Sequence, residues 1–362
     1  MKIILDDSKI KQNLYPFTAT RHAADIRIGI LTIREKWAYF PRFQVYTDLN
    51  DFFMDNPDPE FGLGSPLDAN MIPTKEWLED LVNSVEKPRQ GEIAVVDSDL
   101  MKMLYYPWQI FQYNDWALRK DFDMITQGRV SQPLSSTNKV ICIENIFLEE
   151  GAVVEHSILN ASSGPIYIGK NALVMEGCMI RGAFALCEGA ILKMGSKIYG
   201  ATTIGPYCIA AGEIKNSVMF GYSNKSHDGY LGDSVIGEWC NLGAGTTNSN
   251  VKNTAGKVKV WSNAVNDYLP VGLKCGLLMG DYSRSAINTS FNTGTVIGVC
   301  CNIFGEYFPP KLVGDFTWGT ERYIFEKVLQ DIGNWKELKG RILTEQEKEV
   351  LKQLYTHNKK ST

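Results

Sequence analysis

Residues 166–210 read IYIGKNALVMEGCMIRGAFALCEGAILKMGSKIYGATTIGPYCIA. Every sixth position from Ile168 is apolar: Ile168, Val174, Ile180, Leu186, Leu192, Ile198, Ile204 and Ala210. Four places after each of the first seven stand Ala172, Cys178, Phe184, Ala190, Ser196, Thr202 and Cys208, all small except the phenylalanine. Neither the 3.6-residue repeat of a helix nor the two-residue repeat of a hairpin produces a strict period of six. A triangular coil of short parallel strands does. Each hexad supplies one strand and one bend, and three hexads close a turn, with the large aliphatic inside and the small residue at the corner. The expected fold is mainly β, a left-handed parallel β-helix.

Working outward, the pattern resumes at Ile236-Gly-Glu-Trp-Cys, Leu242-Gly-Ala-Gly-Thr, Ile297-Gly and Ile303. Its register breaks twice. Ala210 to Ile236 runs two residues beyond four hexads, and Leu242 to Ile297 one beyond nine. Each break is expected to expel a loop, the first being the polar stretch Tyr222-Ser-Asn-Lys-Ser-His-Asp-Gly-Tyr230. Ile287-Asn-Thr-Ser-Phe-Asn-Thr-Gly-Thr is expected to form a coil corner.

Before the repeats the sequence is mixed. KIILDD suits a strand, and DIRIGILTIREKW, PTKEWLEDLVNSV and PWQIFQYNDWALRKDFDMITQ have helical spacing. After Phe316, ERYIFEKVLQDI and LTEQEKEVLKQLYTHN are amphipathic, with Thr344 and Glu347 spaced as a capping box. The expected organisation is a short α/β domain over 1–140, the β-helix over 141–312 and a helical extension over 313–362.

Composition sets bounds on partners. The 362 residues carry 37 Lys+Arg against 41 Asp+Glu, a balance with no basic footprint for nucleic acid or an anionic membrane. The apolar stretch at the start is too short for a secretory signal, and no run is long enough to span a bilayer, so the expected compartment is the cytoplasm. All eight cysteines lie after residue 141 without a CxxC pair, as befits small buried hydrophobes in a reducing compartment. Of the four histidines, His227 stands in the polar break beside Asp228 and near Lys225 and Tyr230, where a neutral imidazole suits a general base. No metal-ligating cluster stands out; a zinc hydration site on such a coil needs three histidines, and this one offers His156 and His227.

The run GEIKNSVMFGYSNKSHDGYLGDSVIGEWCNLGAGTTNSN, residues 212–250, resembles the acetyltransferase half of the bifunctional N-acetylglucosamine-1-phosphate uridyltransferase/glucosamine-1-phosphate N-acetyltransferase family. That family's blocks, E-[IV]-K-x-S, H-x-x-Y-x-G-D, I-G-x-x-x-N-x-G-A-G-T and a following Asn, occur here in order. A divergent branch of sugar-phosphate nucleotidyltransferases with a hexapeptide-repeat acetyltransferase domain matches further, through LYPFTATR, PWQIFQYN, GPIYIG and INTSFNTGT. The resemblance implies an acetyl-CoA-dependent N-acetyltransferase acting on an amino sugar phosphate, with His227 as general base. It implies substrate contacts from Lys215, Tyr230, Asn241 and Asn250, and acetyl-CoA contact at Ala244, where a backbone amide could hold the oxyanion. The family's phosphate-binding arginine falls at Lys197, which keeps the charge and loses the bidentate fork. The fold's acyltransferases imply a homotrimer.

The first domain departs from the family's glycine-rich phosphate loop. It has LYPFTATRHAADIRIGILTIREKW instead, whose Arg21, Arg27 and Arg34 could grip a nucleotide phosphate. A sugar-1-phosphate nucleotidyltransferase using Mg2+, with Asp97 and Asp99 as the acidic pair, is therefore the second expectation. A non-catalytic β-helix binding protein is the third.

Overall fold

The computed structural model describes residues 2–48, 66–86, 98–306 and 308–357. Its centre is the expected left-handed β-helix, a stack of parallel strands on three faces. Nine strands from Ile146–Leu148 to Leu312–Val313 form one face. Ten form the second, from Val153–Val154 to Glu321–Arg322, and six the third, from Lys139–Ile141 to Tyr230–Gly232. The regular coils advance eighteen residues per turn, pairing Ile166 with Phe184 and Phe184 with Thr202. The hexad aliphatics fill the lumen: Ile168, Val174, Ile180, Leu186, Leu192, Ile198, Ile204 and Ala210 are all buried, as are the small residues between them. The corners need left-handed backbone, which costs any residue with a Cβ. Many use glycine, yet one column is aromatic, with Tyr207, Tyr222, Trp239 and Tyr282 at φ of 57°, 62°, 58° and 61°. Tyr222 stacks between Tyr207 and Trp239 at centroid distances of 5.2 and 4.4 Å.

The first register break corrects an expectation. Residues 222–230 are not expelled. Asn224–Lys225 and Tyr230–Gly232 are coil strands, pairing Ile209 with Asn224 and Glu213 with Tyr230. The break instead reflects two short turns: Thr203 pairs with Val218, fifteen residues on, and Val218 with Val235, seventeen on. Half of the deficit falls at one corner, where only Ala211 and Gly212 separate the strands Ile209–Ala210 and Glu213–Lys215. The second break is an expelled excursion, the antiparallel hairpin Val258–Ser262/Asp267–Gly272. Val258 and Val260 fold back into a core shared with Phe220, Val235, Leu278 and Val296 of the first face and with the N-terminal region.

The N-terminal region holds a three-stranded parallel sheet ordered Gln44–Tyr46, Lys2–Asp6, Leu67–Asp68, an antiparallel pair Met71–Pro73/Met101–Met103, and helices Lys75–Glu86 and Asn114–Thr126. The helix expected from Asp25 begins only at Ile33. Gly29 turns the chain at φ 75°, Arg27 bridges to Thr32, and Thr32 with Glu35 then forms a capping box. The region is fastened to the first face: Asn114 Nδ2 donates to the Ala201 carbonyl at 3.0 Å and Thr203 Oγ1 to the Gly29 carbonyl at 2.8 Å. Beside them Lys36 and Asp121 form a buried ion pair.

The two C-terminal helices are Phe325–Glu337 and Glu345–His357, the second opened by the expected Thr344/Glu347 box. Val328, Ile332 and Leu351 pack on the corner residues Trp239, Tyr282, Cys300 and Phe316. Trp335 lies over Arg284 of the second face, 5.5 Å from guanidinium carbon to ring centroid. All eight cysteines are free thiols and all but Cys142 are buried. Among the described residues no helix is long and apolar enough to cross a membrane.

Candidate active site

The third face carries most of the residues singled out in the sequence. Its inward column is Ile198, Ile214 and Leu231, so their neighbours point outward. Lys197, Glu213 and Tyr230 align in one outward column and Tyr199, Lys215 and Gly232 in the other. Tyr199 donates its hydroxyl to Glu213 Oε1 at 2.5 Å, and that bond together with burial pushes the phenol up to about 12. The Lys215 ammonium lies 6.0 Å from the Tyr199 ring centroid. Lys197 is exposed and Lys215 half-buried, and neither has a carboxylate within ion-pair distance among the described residues.

Asn250, at the end of the same face, donates to Tyr230 Oη at 3.1 Å and to the Asp233 carboxylate. Asn216 donates to the other Asp233 oxygen at 2.7 Å. Burial, and then the Asp233 charge, raise the Tyr230 phenol above its ordinary value, so it stays a neutral hydroxyl at physiological pH. Sequence reading did not single out Asp233 or the Tyr199–Glu213 pair. The eighteen-residue period would have set Lys197 beside Lys215; the shortened corner puts Tyr199 there instead, sixteen residues before it. Asp233 lies within the quoted H-x-x-Y-x-G-D block, but its hold on two asparagines needs the coil.

His227 occupies the corner leading onto this face. It is exposed, and its imidazole has no hydrogen-bond partner among the described residues. The next two corners are stitched to it by backbone. The Gly245 amide donates to the Asp228 carbonyl at 3.1 Å, and the Asn288 amide to the Ala244 carbonyl at 2.6 Å. The Ala244 amide donates to no group among the described residues, which leaves it free for an incoming oxygen. Farther along the stack, Asn288, Thr289, Phe304, Phe308 and Pro310 line a groove of about 480 Å³. Asn241 stands apart. It lies on the second face, between Asn224 and Arg284 in register, and so across the His227 corner from Tyr230.

The three N-terminal arginines do not present free guanidinium groups. Arg21 is held by Asp281 and, at 3.4 Å, by Glu238. Arg27 donates to the Ile30 carbonyl and pairs with Glu35. Arg34 makes a two-point contact with Asp25 at 2.7 Å for each bond. All three guanidinium groups are thus paired within the chain. Asp97 lies outside the described residues. Among those described, no group of three or more His, Cys, Asp or Glu side chains could hold a metal ion.

The coil is a left-handed parallel β-helix with a lysine-bearing face and a histidine at the corner beside it. Comparison with known proteins goes further. Residues 2–101 match the family model of a sugar nucleotidyl transferase. The chain is 28% identical over 63% of its length to a bifunctional sugar-1-phosphate nucleotidylyltransferase/acetyltransferase of Sulfurisphaera tokodaii, covering 50% of that protein. It is 26% identical over 63% of its length to the bifunctional protein GlmU of Methanococcus maripaludis strain C5, again covering 50% of it. A shorter match, 36% over 28% of the chain and 18% of the relative, is to the bifunctional protein GlmU of Rubrobacter xylanophilus. The chain spans about half the length of the first two relatives and is similar to them as a divergent branch.

Proposed function

We propose that the protein is an acetyl-CoA-dependent N-acetyltransferase acting on an amino sugar phosphate of the glucosamine 1-phosphate kind. The observation that carries this is the unpartnered His227 imidazole at the edge of a face bearing two unpaired lysines. In this reading Lys215 and Lys197 hold the phosphate, while Tyr230 and Asn250, fixed by Asp233, contact the sugar. His227 takes a proton from the substrate ammonium or from the amine as it attacks. The nitrogen lone pair adds to the thioester carbonyl, whose oxygen gains the Ala244 amide as donor. The C–S bond then breaks, and coenzyme A leaves as a thiol once the sulfur is protonated.

Acetyl-CoA would lie along the corner column, its acetyl group near Ala244 and its far end toward the Asn288–Phe304 groove. Asn241, held on another face, would reach substrate only if a neighbouring coil of a homotrimer brought a second copy against the corner. Purified protein mixed with acetyl-CoA and glucosamine 1-phosphate should release free thiol, and His227→Ala should reduce the rate about a hundredfold or more with the coil's circular dichroism unchanged. Undiminished thiol release from that variant removes His227 from the reaction.

A second reading, sugar-1-phosphate nucleotidyl transfer, is favoured by the family match over residues 2–101. It predicts Mg2+-dependent pyrophosphate release from a nucleoside triphosphate and a sugar 1-phosphate. If neither activity appears and no acyl-CoA binds, a binding role for the coil gains ground.

A further inference from the structure

The second face's inward column runs Val154, Val174, Leu192, Ala210, Lys225, Leu242, Ser285 and Ile303. One of these is charged. Lys225 is 2% exposed, and its ammonium meets no carboxylate within ion-pair distance among the described residues. It donates instead to two backbone carbonyls, Ala211 at 3.1 Å and His227 at 2.8 Å. The first belongs to the corner shortened to two residues and the second to the full-length corner stacked on it. The small side chain of Ala210, one coil below, leaves room for the lysine stem.

Stability alone does not explain a lysine here. A buried charge without a counter-ion carries a desolvation penalty, and an unbranched apolar chain of like length would fill the same lumen without it. Burial also pushes the amine down to about 8, the mark of that penalty. What lysine supplies and an apolar chain cannot is a fixed position for the His227 carbonyl. We propose that Lys225 is a positioning residue, which ties the His227 corner to the shortened corner before it and so holds the imidazole over the third face. The proposal rests on the reading of His227 as the base.

The test is Lys225→Met in the full-length protein, with two independent readouts. Amide exchange by mass spectrometry over residues 226–229 should quicken about tenfold, while the thermal midpoint stays equal to the wild type's or rises. Thiol release should show kcat down about tenfold with KM for the amino sugar within about twofold, because orientation is lost and not binding. Unchanged exchange overturns the tie. Full kcat, or a midpoint that falls along with kcat, assigns the lysine to structure alone, as does a variant that fails to fold. If the wild type itself releases no thiol, the reading of His227 fails, and the exchange measurement still decides whether Lys225 fixes the corner.

Discussion

Tyr230 owes its place to the residue two positions on. A Cβ on Gly232 would stand 2.2 Å from the Tyr230 hydroxyl, so the ring lies back over a bare backbone. Gly232→Ala should swing the phenol off Asn250, raising KM for the amino sugar about tenfold while costing about 1 kcal/mol or less of stability, since the displaced group is a side-chain tip. Kinetics and a denaturation curve on the same sample separate the two effects. Lys225 gives a pH signature. Its amine is lowered from 10.5 to about 8 in the folded chain, so the folded state binds that proton more weakly than the unfolded one. Its destabilisation is fully present below about pH 8 and fades as pH rises toward 10.5. The stability advantage of Lys225→Met should therefore be largest at neutral pH and shrink by about 3 kcal/mol by pH 10.5.

Among elements, the C-terminal helix Glu345–His357 depends on its Thr344 cap. Thr344→Ala should lower the midpoint by the equivalent of about 1 kcal/mol, seen first as loss of protection in that helix. Such short-range devices are legible in sequence because their partners are three residues apart. The coil is legible for another reason: its lumen is filled mainly by aliphatics, so the period survives translation into letters at Ile168, Val174 and onward. The corner lengths are not. Counting sixes along the chain cannot distinguish two shortened turns from one expelled loop, and the polar letters of residues 222–230 favoured the loop. Lys225 escapes such a reading too, since a lysine in a strand of period two is expected to point at water and this one points into the lumen. The helix expected over Asp25–Leu31 failed because Gly29 and the Arg27–Thr32 bridge outweigh helical spacing. Lys197, Lys215, Tyr230 and Asn250 were found through motif resemblance, and the coil then places them on one face. Asn241 it places on another. The pairing of Arg21, Arg27 and Arg34 was not legible, because their carboxylate partners Asp281, Glu35 and Asp25 become neighbours only once the chain is folded or turned.

Across the whole molecule, the N-terminal segment that bonds to the coil through Gly29 is braced from within its own region by Lys36 and Asp121. Both are buried, with burial pushing the lysine down and the aspartate up, and Asp121 also accepts the amides of Ile30 at 2.7 Å and Leu31 at 3.1 Å. Asp121→Ala leaves an uncompensated ammonium and should cost about 3–5 kcal/mol in a denaturant titration, much of it recovered by also replacing Lys36 with Met. The same fastening covers the first face, and the C-terminal helices cover the later coils of the second around Trp239 and Arg284. The third is left open with its lysines. A homotrimer should therefore appear in sedimentation only through that side or the early coils, and substitutions such as Ile158→Glu, at an exposed strand position there, should shift it to monomer. For a small anion diffusing toward a chain of net charge −4, one open side out of three is a narrow target. Lys197 and Lys215 make it an attractive one, so capture should be steered by charge, and its rate should fall as salt shortens the reach of those two ammonium groups.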